Sequence, residues 1–434
     1  MNQAPLFIGL AGYGTVGSGL AEVLHTNKTG ILRRLGREIR IKRVLERETD
    51  RVKQSPFLDK NVGVSTDPAD MYNDPEITLV VELMGGIDFP AKFIKGALEA
   101  GKHVVTANKA LLAEAGAELF ALAAKKNLSL GYEASVCGAI PIVQALRESL
   151  AGNEVVNIMG ILNGTSNFIL SEMSTKGMPF EVALKEAQEL GYAEAVPTLD
   201  IEGIDAAHKL TLLIRLAYGV DYPFAKLPVS GVNGMDPMDI AFAREFGYRI
   251  KLVGQARSVD GRIEAGVFPT LVHHTQLMAR VGGVYNAVRV EGNASGPIFM
   301  HGRGAGGVPT GSAVLADIMA VARGSLPNNT GFVEQALPPA DIFPADEAVS
   351  QFYLRVMVPD KPGVLRDLAG CMAEEQVSVA QAIQKEQNPE SVPIVFMTHE
   401  ATAKSMRGSI NKMTERGLLL KEPVLFRVLG AGHN

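Results

Sequence analysis

The stretch that most constrains the fold is LFIGLAGYGTVG, residues 6–17: an apolar run, then Gly12, Gly14 and Gly17 in the spacing G-x-G-x-x-G, leading into an amphipathic segment that continues to about His25. A strand, a glycine turn and a helix in that order make a dinucleotide-binding unit. Gly12 permits the tight turn, Gly14 lets a pyrophosphate approach the backbone, and Gly17 lets the helix pack closely on the sheet. Tyr13, Thr15 and Val16 complete the turn and are grouped with the glycines as cofactor-binding positions. The helix start offers its unpaired N–H groups to phosphate.

Strand-like runs recur at IRIKRVL (39–45), TLVVEL (78–83), KHVVTA (102–107) and LSLGYE (128–133), alternating with helical segments such as PAKFIKGALEAG. That alternation predicts an α/β domain with a Rossmann-type doubly wound parallel sheet over about 1–135, to which the chain returns near 305–330. Gly85, just past TLVVEL, is placed with the cofactor-binding positions. After the second strand, Glu46 favours the free ribose hydroxyl of NAD, whereas its neighbour Arg47 favours the phosphate of NADP, so both NADH and NADPH remain open.

At 434 residues the chain exceeds one ordinary core, and two or three domains are expected. Residues 136–304 mix helices with strands joined by short turns, among them a hairpin signal at Asp260–Gly261, and read as an α+β substrate and oligomerisation domain. Beyond a proline-containing linker, LPPADIFPADEA, residues 350–430 run strand, helix, strand, strand, helix, strand, which predicts a separate ferredoxin-like module. A net charge of −5 gives no basic field, so nucleic acid is excluded as a partner. No apolar run reaches the ~18 residues of a membrane span and no signal core is present, so a cytoplasmic protein without membrane contact is expected. With only Cys137 and Cys371 there is neither a disulfide framework nor a zinc set.

The segment GIDAAHKLTLLIRLAYG, 203–219, reads as a helix apolar on nearly every face, yet Asp205 and Lys209 stand on it one turn apart. A pair on a buried helix is best placed facing a cleft, where desolvation would lower the Lys209 pKa and Asp205 would oppose that shift. Upstream, Glu194 and Asp200 flank Pro197 in a rigid loop suited to an ammonium group. Lys109 follows a strand end of the first domain and points toward the cofactor crevice. Cys137 has no His beside it in sequence and is not expected to act as a nucleophile.

These residues together resemble homoserine dehydrogenase over essentially the whole chain, through GLAGYGTVG, TANKALLA, YEASVCGAIPI, GILNGTSNFIL, GYAEAVPTLDIEGIDAAHKL and GRGAGGVPTGSAVLADI in this order. The tail resembles an ACT domain, with PDKPGVL at its first strand-to-helix turn. The resemblance implies reversible NAD(P)H-dependent reduction of L-aspartate 4-semialdehyde to L-homoserine, on the route to threonine, isoleucine and methionine. It implies Lys209 as proton donor supported by Asp205, Lys109 between nicotinamide and substrate, Glu194 and Asp200 on the amino acid portion, and Gly306 near the cofactor. It further implies a structural Na+ or K+ on the carbonyls of Glu133, Val136, Gly138 and Ile140, a threonine-type effector at the ACT domain, and a homodimer or homotetramer. The chain opens directly at the dinucleotide unit, so a monofunctional enzyme is expected. A non-catalytic sensor that binds cofactor without turnover is the alternative from another class, and an oxidoreductase on another small amino acid aldehyde or imine is the alternative among enzymes.

Overall fold

The computed structural model describes residues 4–325, 329–334, 336–385 and 391–429. Parts of the predicted return (326–328) and of the C-terminal module (386–390 and 430) lie outside the described residues. The first sheet contains β1 (Leu6–Ala11), β2 (Ile39–Leu45), β3 (Gly63–Ser65), β4 (Ile77–Glu82), β5 (His103–Thr106) and β6 (Leu130–Gly131). All its pairings are parallel and its order is β3-β2-β1-β4-β5-β6. The order reverses direction beside β1, so β1 and β4 part at their carboxyl ends and leave the crevice in which such sheets bind nucleotides. Strands β1 and β4 are almost wholly buried, as continuous apolar runs covered on both faces must be. LSLGYE forms a strand only at Leu130–Gly131, because after Tyr132 the chain turns as the 3-10 helix Glu133–Ser135.

The chain returns to this sheet as the helix Gly307–Arg323, which packs against the helix Thr15–Thr26. Contact is close enough that a Cβ on Gly19 would sit 2.2 Å from the Gly307 carbonyl oxygen.

The second sheet holds β7 (Val155–Ile161), β8 (Tyr248–Val259), β9 (Arg262–His273), β10 (Tyr285–Gly292) and β11 (Gly296–Arg303), then β12 (Val349–Val358), β13 (Val379–Gln384), β14 (Val392–Thr398), β15 (Ala401–Thr402) and β16 (Val424–Leu429). The hairpin β8–β9 turns on Asp260 and Gly261, both with positive φ, in register Val259 to Arg262. The C-terminal strands run β16-β12-β14-β13, the ferredoxin-like order, with the helices Val364–Glu374 and Ala403–Glu415 packed together. This module does not stand apart. Strand β16 pairs in parallel with β9 through Arg427–Thr270, Val428–Leu271 and Leu429–Val272, so one sheet runs through both regions. A linear pattern of strands does not reveal which outer edge will be covered, and the unpaired edge of β9 is covered here.

Candidate active site

The glycine turn meets the demands its spacing set. Gly12 has φ +93 and a Cβ on it would lie 2.6 Å from the Leu83 carbonyl oxygen, while a Cβ on Gly17 would lie 2.2 Å from the Gly12 oxygen. Gly14 is different: a Cβ there would meet nothing within 4 Å, so its open side faces the crevice. The helix Thr15–Thr26 has no side-chain cap at its start, and neither has Gly307–Arg323, whose N-cap is Gly306 with φ +122. A Cβ on Gly307 would sit 2.7 Å from the Thr15 oxygen, so the two uncapped helix starts stand side by side. That is a fitting cradle for a pyrophosphate. Thr15 and Gly85 are exposed at this crevice and Val16 lines its inner part, whereas the Tyr13 side chain turns into the core and bonds Ser55. Only the backbone of Tyr13 remains on the crevice side.

A cavity of about 390 Å³ lies beside this turn, lined by Gly12, Gly14, Glu46, Arg47, Thr66, Gly85 and their neighbours. The Glu46 carboxylate accepts the Tyr13 N–H at 2.7 Å, the Arg47 N–H at 2.7 Å and the Glu48 N–H at 3.3 Å. Burial works against the charge, but these bonds hold its pKa below the usual value. Arg47 itself is exposed at the cavity edge.

The helix Ile204–Tyr218 runs between two left-handed glycines, Gly203 and Gly219, and is buried along nearly its whole length. The charges of Asp205 and Lys209 find partners from three directions. Lys209 Nζ donates to Asp205 Oδ2 at 2.6 Å and to the Leu162 carbonyl at 2.7 Å. Asn163 Nδ2 donates to Asp205 Oδ2 at 2.8 Å and to Asp200 Oδ1 at 2.6 Å. Lys109 Nζ approaches Asp205 Oδ1 at 3.3 Å from the other domain. Burial opposes the Asp205 charge, yet Lys209 and Lys109 hold its pKa well below the ordinary carboxylate range. For Lys209, burial pulls downward but Asp205 more than compensates, so its pKa is raised rather than lowered. The desolvation expected from sequence is present and loses to the ion pair. Lys209 is therefore held as an ammonium. Asp200 shifts the other way, pushed up by burial and then by Asp205.

Asp205, Asp200, Lys109 and Glu194 line one cleft of about 380 Å³ between the two domains, together with Glu82, Asn108 and His208. Glu194 is exposed on its rim. Glu82 and His208 of this cleft, and Asn163 beside Asp205 and Asp200, escape a reading of the sequence. Glu82, wholly buried at the end of β4, takes the Thr106 hydroxyl at 2.7 Å and the Met84 N–H at 2.8 Å and so shapes the turn carrying Gly85. Burial pushes its pKa up against those bonds. A carboxylate closing an otherwise apolar strand was the available signal. Asn163 and His208 carried none, since neither residue type is unusual where it stands.

A family profile described as homoserine dehydrogenase, NAD binding domain, matches residues 12–133, and one described as homoserine dehydrogenase matches 141–319. The homoserine dehydrogenase of Neisseria gonorrhoeae is 45% identical over 94% of both chains. The chain belongs to the homoserine dehydrogenase family. Among solved structures of the family, that of the Thiobacillus denitrificans homoserine dehydrogenase superposes with a TM-score of 0.93 at 42% identity, covering all of both chains. A hyperthermophilic archaeal homoserine dehydrogenase, solved in complex with NADPH, superposes with a TM-score of 0.62 at 28% identity, covering 75% of this chain and 99% of its own. The protein is thus an NAD(P)-dependent oxidoreductase with a nicotinamide-binding domain at its amino terminus.

In homoserine dehydrogenase terms, Cys137 is no nucleophile here. It is fully buried and desolvation pushes its thiol up to about 11, so at neutral pH it stays protonated. It sits in the turn that holds Glu133, Val136, Gly138 and Ile140, where Cys137 and Gly138 both have φ +56. The Glu133 carboxylate accepts the N–H groups of Val143 at 3.0 Å and Gln144 at 2.7 Å, so its side chain serves the start of the next helix. Among the described residues no helix is long and apolar enough to cross a membrane.

Proposed function

We propose that this chain catalyses the reversible reduction of L-aspartate 4-semialdehyde to L-homoserine, with NADPH as the preferred cofactor, on the route to threonine, isoleucine and methionine. The observation that carries the reading is the buried Lys209 ammonium, fixed by Asp205 and the Leu162 carbonyl beside a cleft that Lys109 enters from the cofactor domain. A reduced nicotinamide bound along the glycine turn would supply a hydride to the aldehyde carbon. As negative charge grows on the carbonyl oxygen, Lys109 and Lys209 stabilise it and Lys209 delivers the proton. Asp205 keeps Lys209 charged and aimed. Glu194 and Asp200 hold the ammonium of the amino acid portion, and Gly12, Gly14, Gly17, Gly85 and Gly306 let the cofactor close on the backbone.

Arg47 supports the NADPH preference, because Glu46 is already engaged by three N–H groups while Arg47 stands at the cavity edge. The NADPH-bound archaeal relative agrees with it. A monovalent cation, Na+ or K+, would rest on carbonyls of Glu133, Val136, Gly138 and Ile140, since the left-handed pair Cys137–Gly138 makes the tight turn such a site requires. The role of that cation would be structural. The ferredoxin-like module is read as an ACT domain that takes threonine or a related amino acid, supported by its strand order and by the PDKPGVL turn. The assembly is read as a homodimer or homotetramer in the cytoplasm, where NADPH is supplied.

The test follows NADPH and NADH absorbance on mixing the purified protein with L-aspartate 4-semialdehyde, with Lys209→Met alongside. Oxidation by the wild type and near silence from the variant are expected. Cofactor binding with no oxidation would overturn the reading in favour of a sensor or another substrate. Calorimetry showing no heat with threonine, together with unchanged kinetics, would remove that effector.

A further inference from the structure

Lys109 is exposed over about 39% of its side chain and sits at the first position of the helix Lys109–Lys125, a weak anchorage for a group that must meet a substrate. That helix is not continuous. Ala115 has φ −136 and ψ 15, outside the helical range, so Lys109–Glu114 is a short segment broken from the rest. A segment of that length has little stability of its own; the buried Leu111 and Leu112 hold it on the core, and the polar partners at its two ends set how it is turned.

Both ends are fixed. At the start, the Asn108 side chain caps Leu111 N–H at 3.1 Å and donates to the Gly86 carbonyl at 2.7 Å. At the end, Glu114 Oε1 meets His208 Nε2 at 2.9 Å. His208 belongs to the other domain, on the same helix as Asp205 and Lys209, and is only 4% exposed. Its ring stacks on Phe224 with centroids 4.4 Å apart, which sets the direction in which Nε2 points. Burial lowers its pKa, with Glu114 opposing, so the neutral ring donates Nε2–H to the carboxylate.

We propose that His208 and Glu114 are positioning residues: their bond pins the broken segment Lys109–Glu114 against the helix of Lys209 and thereby sets where Lys109 stands relative to Asp205 and the substrate. Two polar bridges then join the helices, Lys109–Asp205 and Glu114–His208, with His208 itself on the cleft wall. This inference rests on the reaction proposed above.

The test compares wild type, Glu114→Ala, Glu114→Gln and His208→Phe by steady-state kinetics with the semialdehyde, by NADPH titration and by thermal unfolding. Glu114→Ala and His208→Phe should lower kcat about ten-fold or more, with the NADPH dissociation constant within about two-fold of wild type. Glu114→Gln keeps the accepting oxygen and should recover most of kcat. Unchanged kcat in Glu114→Ala would overturn the proposal. So would a loss equal in Glu114→Ala and Glu114→Gln that tracks a fall in Tm, since that pattern marks a merely structural contact. A wild type that binds NADPH but does not turn over the semialdehyde would instead overturn the proposed reaction, so the two failures are distinct.

Discussion

Two buried ion pairs in this molecule have the same ingredients and opposite uses. On β12, Arg355 meets Asp239 of the helix Pro237–Glu245 through Nε–Oδ1 at 2.6 Å and Nη2–Oδ2 at 2.8 Å, and the Tyr353 hydroxyl adds a bond at 2.7 Å. Asp236 completes it at 3.2 Å. Every face of that carboxylate is used, and neither Arg355 nor Asp239 lines any of the cavities described above. The Asp205–Lys209 pair is as short, yet its carboxylate shares its second oxygen with Lys109, a group partly in solvent, and Asp205 lines the cleft with Lys209 directly behind it. Burial with full pairing fits a structural role; burial with pairing beside an accessible, competing charge fits the chemistry proposed above.

The comparison breaks most sharply at Lys209. Lys209→Met should cut kcat by about 10²–10⁴, the scale of a lost general acid, while NADPH binding followed by fluorescence stays near wild type. Asp239→Ala should do the reverse: a loss of about 3 kcal/mol in denaturant unfolding, with kcat per folded molecule little changed, because Arg355 is left buried with only Asp236. If Asp239→Ala instead abolished turnover in folded protein, the division between the pairs would fail. At the cofactor end, Arg47→Ala should raise KM for NADPH about ten-fold and leave KM for NADH nearly unchanged, and equal effects on both would remove Arg47 from phosphate recognition.

The smallest effect expected is that of pH on aldehyde reduction. The Lys209 pKa is raised above its ordinary 10.5, so the proton donor is fully loaded below that value and is lost only as pH climbs through it. Reduction should therefore be nearly flat around neutrality, whereas oxidation of homoserine, which needs the lysine to accept a proton, should climb steadily into the alkaline range. A reduction rate that halves near pH 7 would contradict the charge state assigned to Lys209.

Much of the site is legible in the chain because local periodicity fixes it. Asp205 and Lys209 share a face through one helical turn, and the glycine spacing dictates a turn that only glycines can make. Lys109 is legible for a similar reason, since it follows a strand whose carboxyl end must face the crevice. Glu82, Asn163 and the Glu114–His208 bond are not legible, because their roles depend on partners far away in sequence, such as Thr106 for Glu82 and Asp200 for Asn163. The break at Ala115 carries a weak mark, since Gly116 follows it and glycine weakens a helix interior, but a single glycine does not by itself dictate a break.

What the sequence by itself determined was the inventory: a dinucleotide sheet, a hairpin-rich second region, a βαββαβ tail, and a charged pair on an apolar helix. Tertiary structure decided which charge state that pair adopts and which elements are joined across the chain. Desolvation and Coulomb attraction on Lys209 have opposite signs, and only the 2.6 Å approach of Asp205 settles the balance. The union of β16 with β9 likewise depends on two strand edges meeting after folding, which no local pattern encodes.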